Sequence, residues 1–392
     1  MFLTKNFNWG AVNESGLILR GLELVNYRNY KNACFGFNPS LTVIYGENAA
    51  GKTNLLEAVR VLSTGSSQRN SPDRELINWD EEESRIVAEI GSSTKQYQAE
   101  LRISKTKRKS LVINKVKQRK HFEEQGFFPS VIFTPDDLKI VKEGPENRRN
   151  FMDSIASQYD RAYEYHKNRY QKILAQRNSL LKTAPEREKC LDTLDLWDEH
   201  LAESGAIILS KRFEFVKELK VLFRESIGEI DANSVFDLGY LPSPSFNDPV
   251  TSMLRDIFLS ELRSSRDTDM NRGATGVGPH RDDLFVSIDG RDARSFASQG
   301  QQREITLALK IAEYALLREK IGKSPILLLD DVMSELDSAR RKHVYKFLVN
   351  NAQSVITTTD LFDVEKDMLE SATIIEIENG VGRVEDWTAL GR

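Results

Sequence analysis

"YGENAAGKTN", residues 45–54, follows the short apolar run "SLTVIY" (40–45) and leads into "LLEAVRVL" (55–62), which has helical character. Its frame, Gly46-x-x-x-x-Gly51-Lys52-Thr53, is that of a phosphate-binding loop, placed after a strand and at the start of a helix. Gly46 and Gly51 let the backbone wrap, so that N–H groups of the loop surround phosphate oxygens. The candidate nucleotide-binding set is Gly46, Glu47, Asn48, Ala49, Ala50, Gly51, Lys52, Thr53 and Asn54. Lys52 reaches the outer phosphates, and Thr53 offers a hydroxyl to a metal. ATP and Mg²⁺ are the cofactors to expect.

Such a loop needs a metal-holding carboxylate at the end of a neighbouring strand. "PILLLDD" (325–331) supplies one. Asp330 would hold Mg²⁺ through its water shell, with Thr53, and Asp331 would orient or deprotonate the attacking water. Asp331 and Lys52 are the candidate catalytic residues. An acid pair after a buried strand can also simply cap the next helix, but the loop upstream outweighs that reading.

A third stretch, "FASQGQQREITLALKIAEYALL" (296–317), opens a helix with a hydroxyl, a glycine and three amides. Ser298, Gly300 and Gln301, with the free N–H groups of the helix start, make a second candidate anion site. One nucleotide saturates its own loop, so this site makes sense if it meets the γ-phosphate held by another copy of the chain. By itself the segment reads as an ordinary serine cap.

Around these stretches the 392 residues leave room for more than one domain. With 40% hydrophobic and 29% charged residues, the composition is that of a soluble globular chain, and no apolar run reaches membrane-spanning length. The first sixteen residues lack a signal-peptide pattern and are expected to form an N-terminal extension without order. Two distant cysteines give no disulfide framework and fit a reducing, cytoplasmic compartment. The net charge of −4 predicts no partner, but residues 105–120 hold eight Lys/Arg and no acid. That run is either a lysine-protected edge hairpin or a surface facing nucleic acid.

Residues 83–120 alternate as an antiparallel sheet would, and "SVIFT" (130–134) is a further strand. From 147 to 182 apolar residues recur at helical spacing (Ile155, Tyr159, Tyr163, Tyr170, Ile173), and Leu194, Trp197, Leu201, Ile208 and Phe215 form a second pattern. Two long helices in an antiparallel hairpin are expected, about 50 Å long. The strand–helix alternation of the C-terminal part predicts a parallel sheet.

Together these residues resemble the ABC-type ATPase heads of the SMC group, and within it the RecF family. "LELVNYRNY" (22–30), "GENAAGKTNLLEAV" (46–59), "FTPDDLKIVKEGPENRRNFMD" (133–153), "GPHRDD" (278–283), "SQGQQR" (298–303) and "LLLDDVMSELD" (327–337) carry the resemblance. It implies an α/β ATPase head, with a mixed sheet and a P-loop parallel sheet, interrupted by a mainly helical insertion. The head would take residues 17–135 and 270–392, and the helical lobe, a short arm or clamp, 136–269. It implies that Arg28 and Asn29 lie near the nucleotide base, that Asp337 crosses a dimer interface, and that Gln68 is a further metal ligand. Thr357 to Thr359 stand where many heads have a switch histidine.

The function implied is an ATP-dependent DNA-binding protein of replication and recombinational repair, with weak DNA-linked ATPase activity. It would form an ATP-dependent homodimer on duplex DNA or single-/double-strand junctions and help load the recombinase with the partners RecO and RecR. Its place would be the cytoplasm, at the nucleoid, with no membrane partner. The alternatives are an anti-phage or nuclease-linked ATPase, which would need a further nuclease domain, and an ABC transporter subunit, which would lack the blocks at 133–153 and 278–283.

Overall fold

The computed structural model describes residues 17–69, 71–92, 95–118, 128–183, 187–246, 249–351, 353–378 and 380–385. The elements begin with β1 (Ile18–Tyr27), β2 (Tyr30–Gly36), β3 (Leu41–Tyr45), α1 (Lys52–Thr64), β4 (Glu83–Gly91), β5 (Gln96–Ser104), β6 (Ser110–Ile113), β7 (Val116–Lys117) and β8 (Ser130–Phe133). Then come α2 (Lys139–Lys142), α3 (Pro145–Tyr159), α4 (Arg161–Thr183), α5 (Arg187–Ile230), β9 (Phe236–Leu241), α6 (Thr251–Ser264), α7 (Arg266–Arg272), β10 (Asp283–Ile288), β11 (Arg291–Asp292), α8 (Ala293–Phe296) and α9 (Gln299–Ile321). The chain closes with β12 (Ile326–Asp330), α10 (Ser338–Asn351), β13 (Ser354–Thr358), α11 (Lys366–Ser371), β14 (Thr373–Glu378) and β15 (Val381–Glu385).

The chain divides into two compact units, Met1–Asp136 with Leu317–Arg392, and Asp137–Leu316. Residues 270–316, expected with the head, fall in the second unit. The expected N-terminal extension lies outside the described residues, as do Arg119 and Lys120 of the basic run.

The first unit holds two sheets. One is antiparallel, in the order β2-β1-β4-β5-β6-β7. The other runs β15-β14-β3-β13-β12-β8, with every pair parallel except β14 with β15. These are the two sheets of an ABC-type ATPase head, with the expected mixed sheet antiparallel throughout and the P-loop sheet parallel but for its edge pair β14–β15. β12 and β13 are buried along their whole length, as parallel strands covered on both faces must be. α1 shares one apolar core with both sheets: Leu55, Leu56 and Val59 join Leu22, Leu24 and Ile86 on one side and Ile44, Leu328 and Val355 on the other.

One expectation fails here in an informative way. The strand ending in Asp330 is not a neighbour of the P-loop strand: β13 lies between β3 and β12. The register puts Asp330 opposite Thr357, and Thr357 opposite Ile44.

In the second unit the single helix expected over 147–182 is two, α3 and α4, broken at Asp160. Asp160 Oδ1 accepts the N–H of Tyr163 at 3.0 Å, so the carboxylate caps α4. The apolar residues stay in phase across the break, so their spacing alone does not reveal it. α4 and α5 run antiparallel, as the pairs Arg169–Glu203 and Arg177–Asp198 require. α5 has 44 residues, about 66 Å at 1.5 Å each, longer than expected. The hairpin is embedded in its unit's own core, where Tyr163, Tyr170, Leu201 and Ile208 pack with Phe258 and Leu262 of α6.

Candidate functional site

The loop after β3 is folded by its glycines. Gly46 (φ 154°) and Gly51 (φ 121°) occupy backbone conformations that side chains avoid. A Cβ on Gly46 would sit 2.3 Å from the carbonyl oxygen of Ile377, and one on Gly51 2.6 Å from the Tyr30 hydroxyl. Ala49, at φ 64°, completes the wrap. Lys52 closes the loop from inside: its Nζ donates to the carbonyls of Gly46 at 2.6 Å and Glu47 at 2.9 Å. Burial lowers its pKa, against the pull of Asp331 and Asp330.

The β1–β2 turn braces the loop. Asn29 Nδ2 donates to the Ala50 carbonyl at 3.1 Å, Tyr30 to that of Gly51 at 2.9 Å, and Asn54 donates to Asn29 Oδ1 at 2.9 Å. Arg28, expected beside the base, is engaged elsewhere. Its Nε and Nη2 both donate to Glu57 at 2.9 Å, and Nη2 also meets Ser71 at 3.0 Å. Glu57 is fully buried on α1 and accepts from Tyr27 at 3.3 Å and Ser67 at 2.6 Å as well. The signal for it was in "NLLEAV": an acid on a buried helix face requires a partner.

The two acids meet the loop at its helix end. Asp330 Oδ1 accepts from Thr53 at 2.9 Å and from Thr357 at 2.9 Å. Burial raises the Asp330 pKa, with Thr357 and Thr53 opposing. Asp331 has φ 54°, a left-handed conformation that costs a non-glycine residue on the order of 1 kcal/mol. Its N–H is held by the Thr357 carbonyl at 3.2 Å and hydroxyl at 3.1 Å.

Gln68 follows Ser67. Both polar atoms of its side chain are buried and unbonded, and among the described residues no other buried side chain has two such atoms. A buried amide without partners is costly, so it fits a group that a ligand completes. The residues at the helix end of the loop fit Mg²⁺: two hydroxyls, Thr53 and Thr357, and one acid, Asp330, at hydrogen-bond distance from both. Among the described residues no cluster of three or more His, Cys, Asp and Glu exists. Mg²⁺ does not need one, because it keeps several waters and takes the rest of its oxygens from one or two carboxylates and phosphates.

In the second unit Ser298 and Gln301 form a reciprocal cap at the start of α9. The Ser298 N–H donates to Gln301 Oε1 at 2.9 Å, and the Gln301 N–H to Ser298 Oγ at 3.3 Å. This answers part of why a serine and amides stand there: they secure the helix start. Ser298 and Gln299 are exposed and Gly300 is half-buried, so this helix start is accessible. Asp337 caps in the same manner, accepting from the Arg340 N–H at 2.9 Å.

In the second unit residues 146–153, the end of the sequence block at 133–153, meet the block at 278–283. Arg148 forks onto Asp283 at 2.6 and 2.9 Å, and Arg149 donates to the Asp282 carbonyl at 2.8 Å. Arg212 of α5 ties Asp153 to Asp282 at 2.6 and 2.9 Å. Sequence reading found the blocks but not their contact.

In the basic run, Lys105, Lys107 and Lys109 pair with Glu82, Glu83 and Asp73 at 3.3, 3.2 and 3.0 Å. These acids come from outside the run, so the charge of this hairpin is partly balanced within its own unit. Among the described residues no helix is long and apolar enough to cross a membrane.

Residues 18–381 match the family model described as "RecF/RecN/SMC N terminal domain". The chain is 37% identical to "DNA replication and repair protein RecF" of Agathobacter rectalis, over 94% of this chain and 100% of that one. A solved "Structure of the recombination mediator protein RecF-ATPrS in RecFOR pathway" superposes with a TM-score of 0.88 at 36% identity, covering 95% of this chain and 99% of the other. The Smc head domain of Pyrococcus furiosus, at 17% identity and a TM-score of 0.51 over 94% and 96% of the two chains, shares the fold.

Proposed function

The chain belongs to the RecF family of DNA replication and repair proteins, and on that premise we propose that it is an ATP-gated DNA-binding dimer acting in recombinational repair. Family membership displaces the transporter and nuclease-linked alternatives. The observation that carries the reading is the hydrogen bond of Thr53 to Asp330, which joins loop and acid in one site.

In this reading Lys52 exchanges two backbone carbonyls for the outer phosphates, and the loop N–H groups hold the rest. Thr53, Asp330 and Gln68 would hold Mg²⁺, which would supply positive charge against the phosphates. Asp331 orients or deprotonates the attacking water. Ser298, Gly300 and Gln301 of a second copy meet the γ-phosphate, with Asp337 crossing between copies, so ATP joins two chains and hydrolysis parts them. Arg28 acts through Glu57 and keeps its Nη1 edge for the nucleotide, while Asn29 braces the loop.

DNA, duplex or gapped, is the proposed ligand of the dimer, and RecO and RecR its proposed partners; a relative's description places RecF in the "RecFOR pathway". Slow, DNA-linked hydrolysis and a cytoplasmic, nucleoid-associated location belong to the same proposal.

Sedimentation with ATP, ADP or no nucleotide, with and without gapped DNA, tests it. A dimer is expected with ATP alone among the three states, and a longer-lived complex when gapped DNA is present. Ser298→Arg should bind ATP and stay monomeric. A Ser298→Arg protein that dimerises normally would remove the second anion site from the mechanism.

A further inference from the structure

We propose that Thr357 is a positioning residue for ATP hydrolysis: one buried hydroxyl, on the strand between loop and acids, fixes both Asp330 and Asp331. The proposal rests on the reading that these two acids serve the metal and the water.

Thr357 is fully buried on β13, the strand that separates β3 from β12. A hydroxyl has one proton to give and two lone pairs to offer. The proton goes to Asp330 Oδ1, at 2.9 Å, in preference to the Leu329 carbonyl at 3.4 Å. A lone pair accepts the Asp331 N–H at 3.1 Å. The first bond orients a carboxylate. The second helps hold the backbone of Asp331 in its left-handed conformation, φ 54°. The side chain of one acid and the main chain of the next are thus registered against the same oxygen.

Thr53 is the other hydroxyl donor on Asp330 Oδ1, at 2.9 Å. Its proposed role is to turn toward Mg²⁺. When it does, the Thr357 hydroxyl remains on that oxygen. Burial and strand propensity alone would be served as well by valine, which has the same shape and no hydroxyl. The hydroxyl both donates and accepts, and its partners are the two residues assigned to the chemistry. Groups that orient metal ligands from behind typically change metal affinity or activity 10–100-fold when removed.

The test compares Thr357→Val and Thr357→Ser in the full chain, reading kcat and KM for ATP, Mn²⁺ affinity of the ATP complex by electron paramagnetic resonance, and the urea midpoint without nucleotide. For Thr357→Val the expected result is a kcat roughly 10–100-fold lower, Mn²⁺ binding about 10-fold weaker, and a KM within about threefold of wild type. Thr357→Ser keeps the oxygen and should restore kcat and Mn²⁺ affinity to within about threefold of wild type. Wild-type kcat and Mn²⁺ affinity in Thr357→Val would overturn the proposal. Equal impairment of both variants would overturn it too, because serine keeps the hydroxyl and its retention would then not rescue the site. Thr357→Ala takes the place of valine if that variant does not fold, with the same outcomes. Asp330→Asn and Asp331→Asn run alongside: if they hydrolyse ATP normally, it is the assignment of the acids that has failed.

Discussion

Lys52 and Arg212 are both buried cations near pairs of acids, one in each unit, and their surroundings are completed in opposite ways. Arg212 is closed. Its Nε donates to Tyr163 at 2.9 Å, its Nη1 to the Pro279 carbonyl at 2.7 Å and Asp282 at 2.9 Å, and its Nη2 to Asp153 at 2.6 Å. Lys52 holds two carbonyls of its own loop, while the acids that pull on it, Asp331 and Asp330, are bonded to other groups, and Asp331 is a non-glycine residue at positive φ. The same residue types build a finished ionic core in one place and an unfinished one in the other. The unfinished cluster is the one that a ligand completes. Charge content does not mark the site, since residues 146–153 and 278–283 are richer in charge than the P-loop stretch 45–54.

The comparison can be broken at several strengths. The largest effect is expected from Arg212→Met. It leaves Asp153 and Asp282 without their shared cation, and removing one partner of a buried pair typically costs about 3–5 kcal/mol. Urea unfolding should reveal that loss or a failure to fold. A variant of near wild-type stability would mean that the network is not what holds the second unit together.

Asp331→Asn should do the reverse, leaving stability almost unchanged while hydrolysis falls about 10²–10⁴-fold if Asp331 is a general base. The DNA complex of this variant should then outlast that of wild type after dilution into competitor DNA. Equal lifetimes would separate hydrolysis from release.

A smaller effect is expected from pH. His280 accepts from Tyr170 at 2.7 Å and donates to the Thr275 carbonyl at 3.0 Å, and burial lowers its pKa to about 4. A histidine that is harder to protonate when folded contributes stability that is present above the unfolded value of about 6.5 and lost as pH falls toward 4. Asp282, pushed up to about 6 by burial, works with the opposite sign: ionising it costs stability as pH rises from about 4 to 6. His280→Gln leaves the second effect alone. Its stability should hold or rise between pH 6.5 and 4.5, where wild type gains less or loses. Parallel pH profiles for the two proteins would show that His280 does not titrate with folding.

The smallest effect on folding is expected at Lys107, whose pair with Glu83 is largely exposed. Lys107→Ala should change stability by less than about 1 kcal/mol. If the hairpin faces DNA, the same variant should reduce the salt slope of DNA binding by about one. An unchanged slope would leave the lysines as edge protection.

How much was legible follows from how local each feature is. The P-loop could be read because its conformation is set within eight residues, by two glycines and the strand and helix that flank them. Asp330 could be read because a run of apolar residues ending in acid is a buried strand reaching a polar edge. The Asp160 break could not be read from periodicity, because Tyr159 and Tyr163 remain on one face; the cap itself was the overlooked signal. Arg28 was placed near the nucleotide base by resemblance alone; its pair with Glu57 could not be read, because that acid is nearly thirty residues away and masked by the apolar pattern of α1.

By itself the sequence determined the local pieces: a wrapped loop between strand and helix, a hydroxyl after it, two acids at the end of a buried strand, a serine-capped helix start, and blocks distinctive enough to indicate the family. Each depends on backbone preferences and spacing over a few residues. The tertiary structure alone decided that β13 lies between loop and acids, that Thr357 faces Asp330, that Glu57 receives Arg28, and that residues 146–153 meet 278–283 across Arg212. Those are pairings between distant segments. Strand order and register set them, and both follow from how the whole chain buries its apolar faces rather than from any short stretch of it.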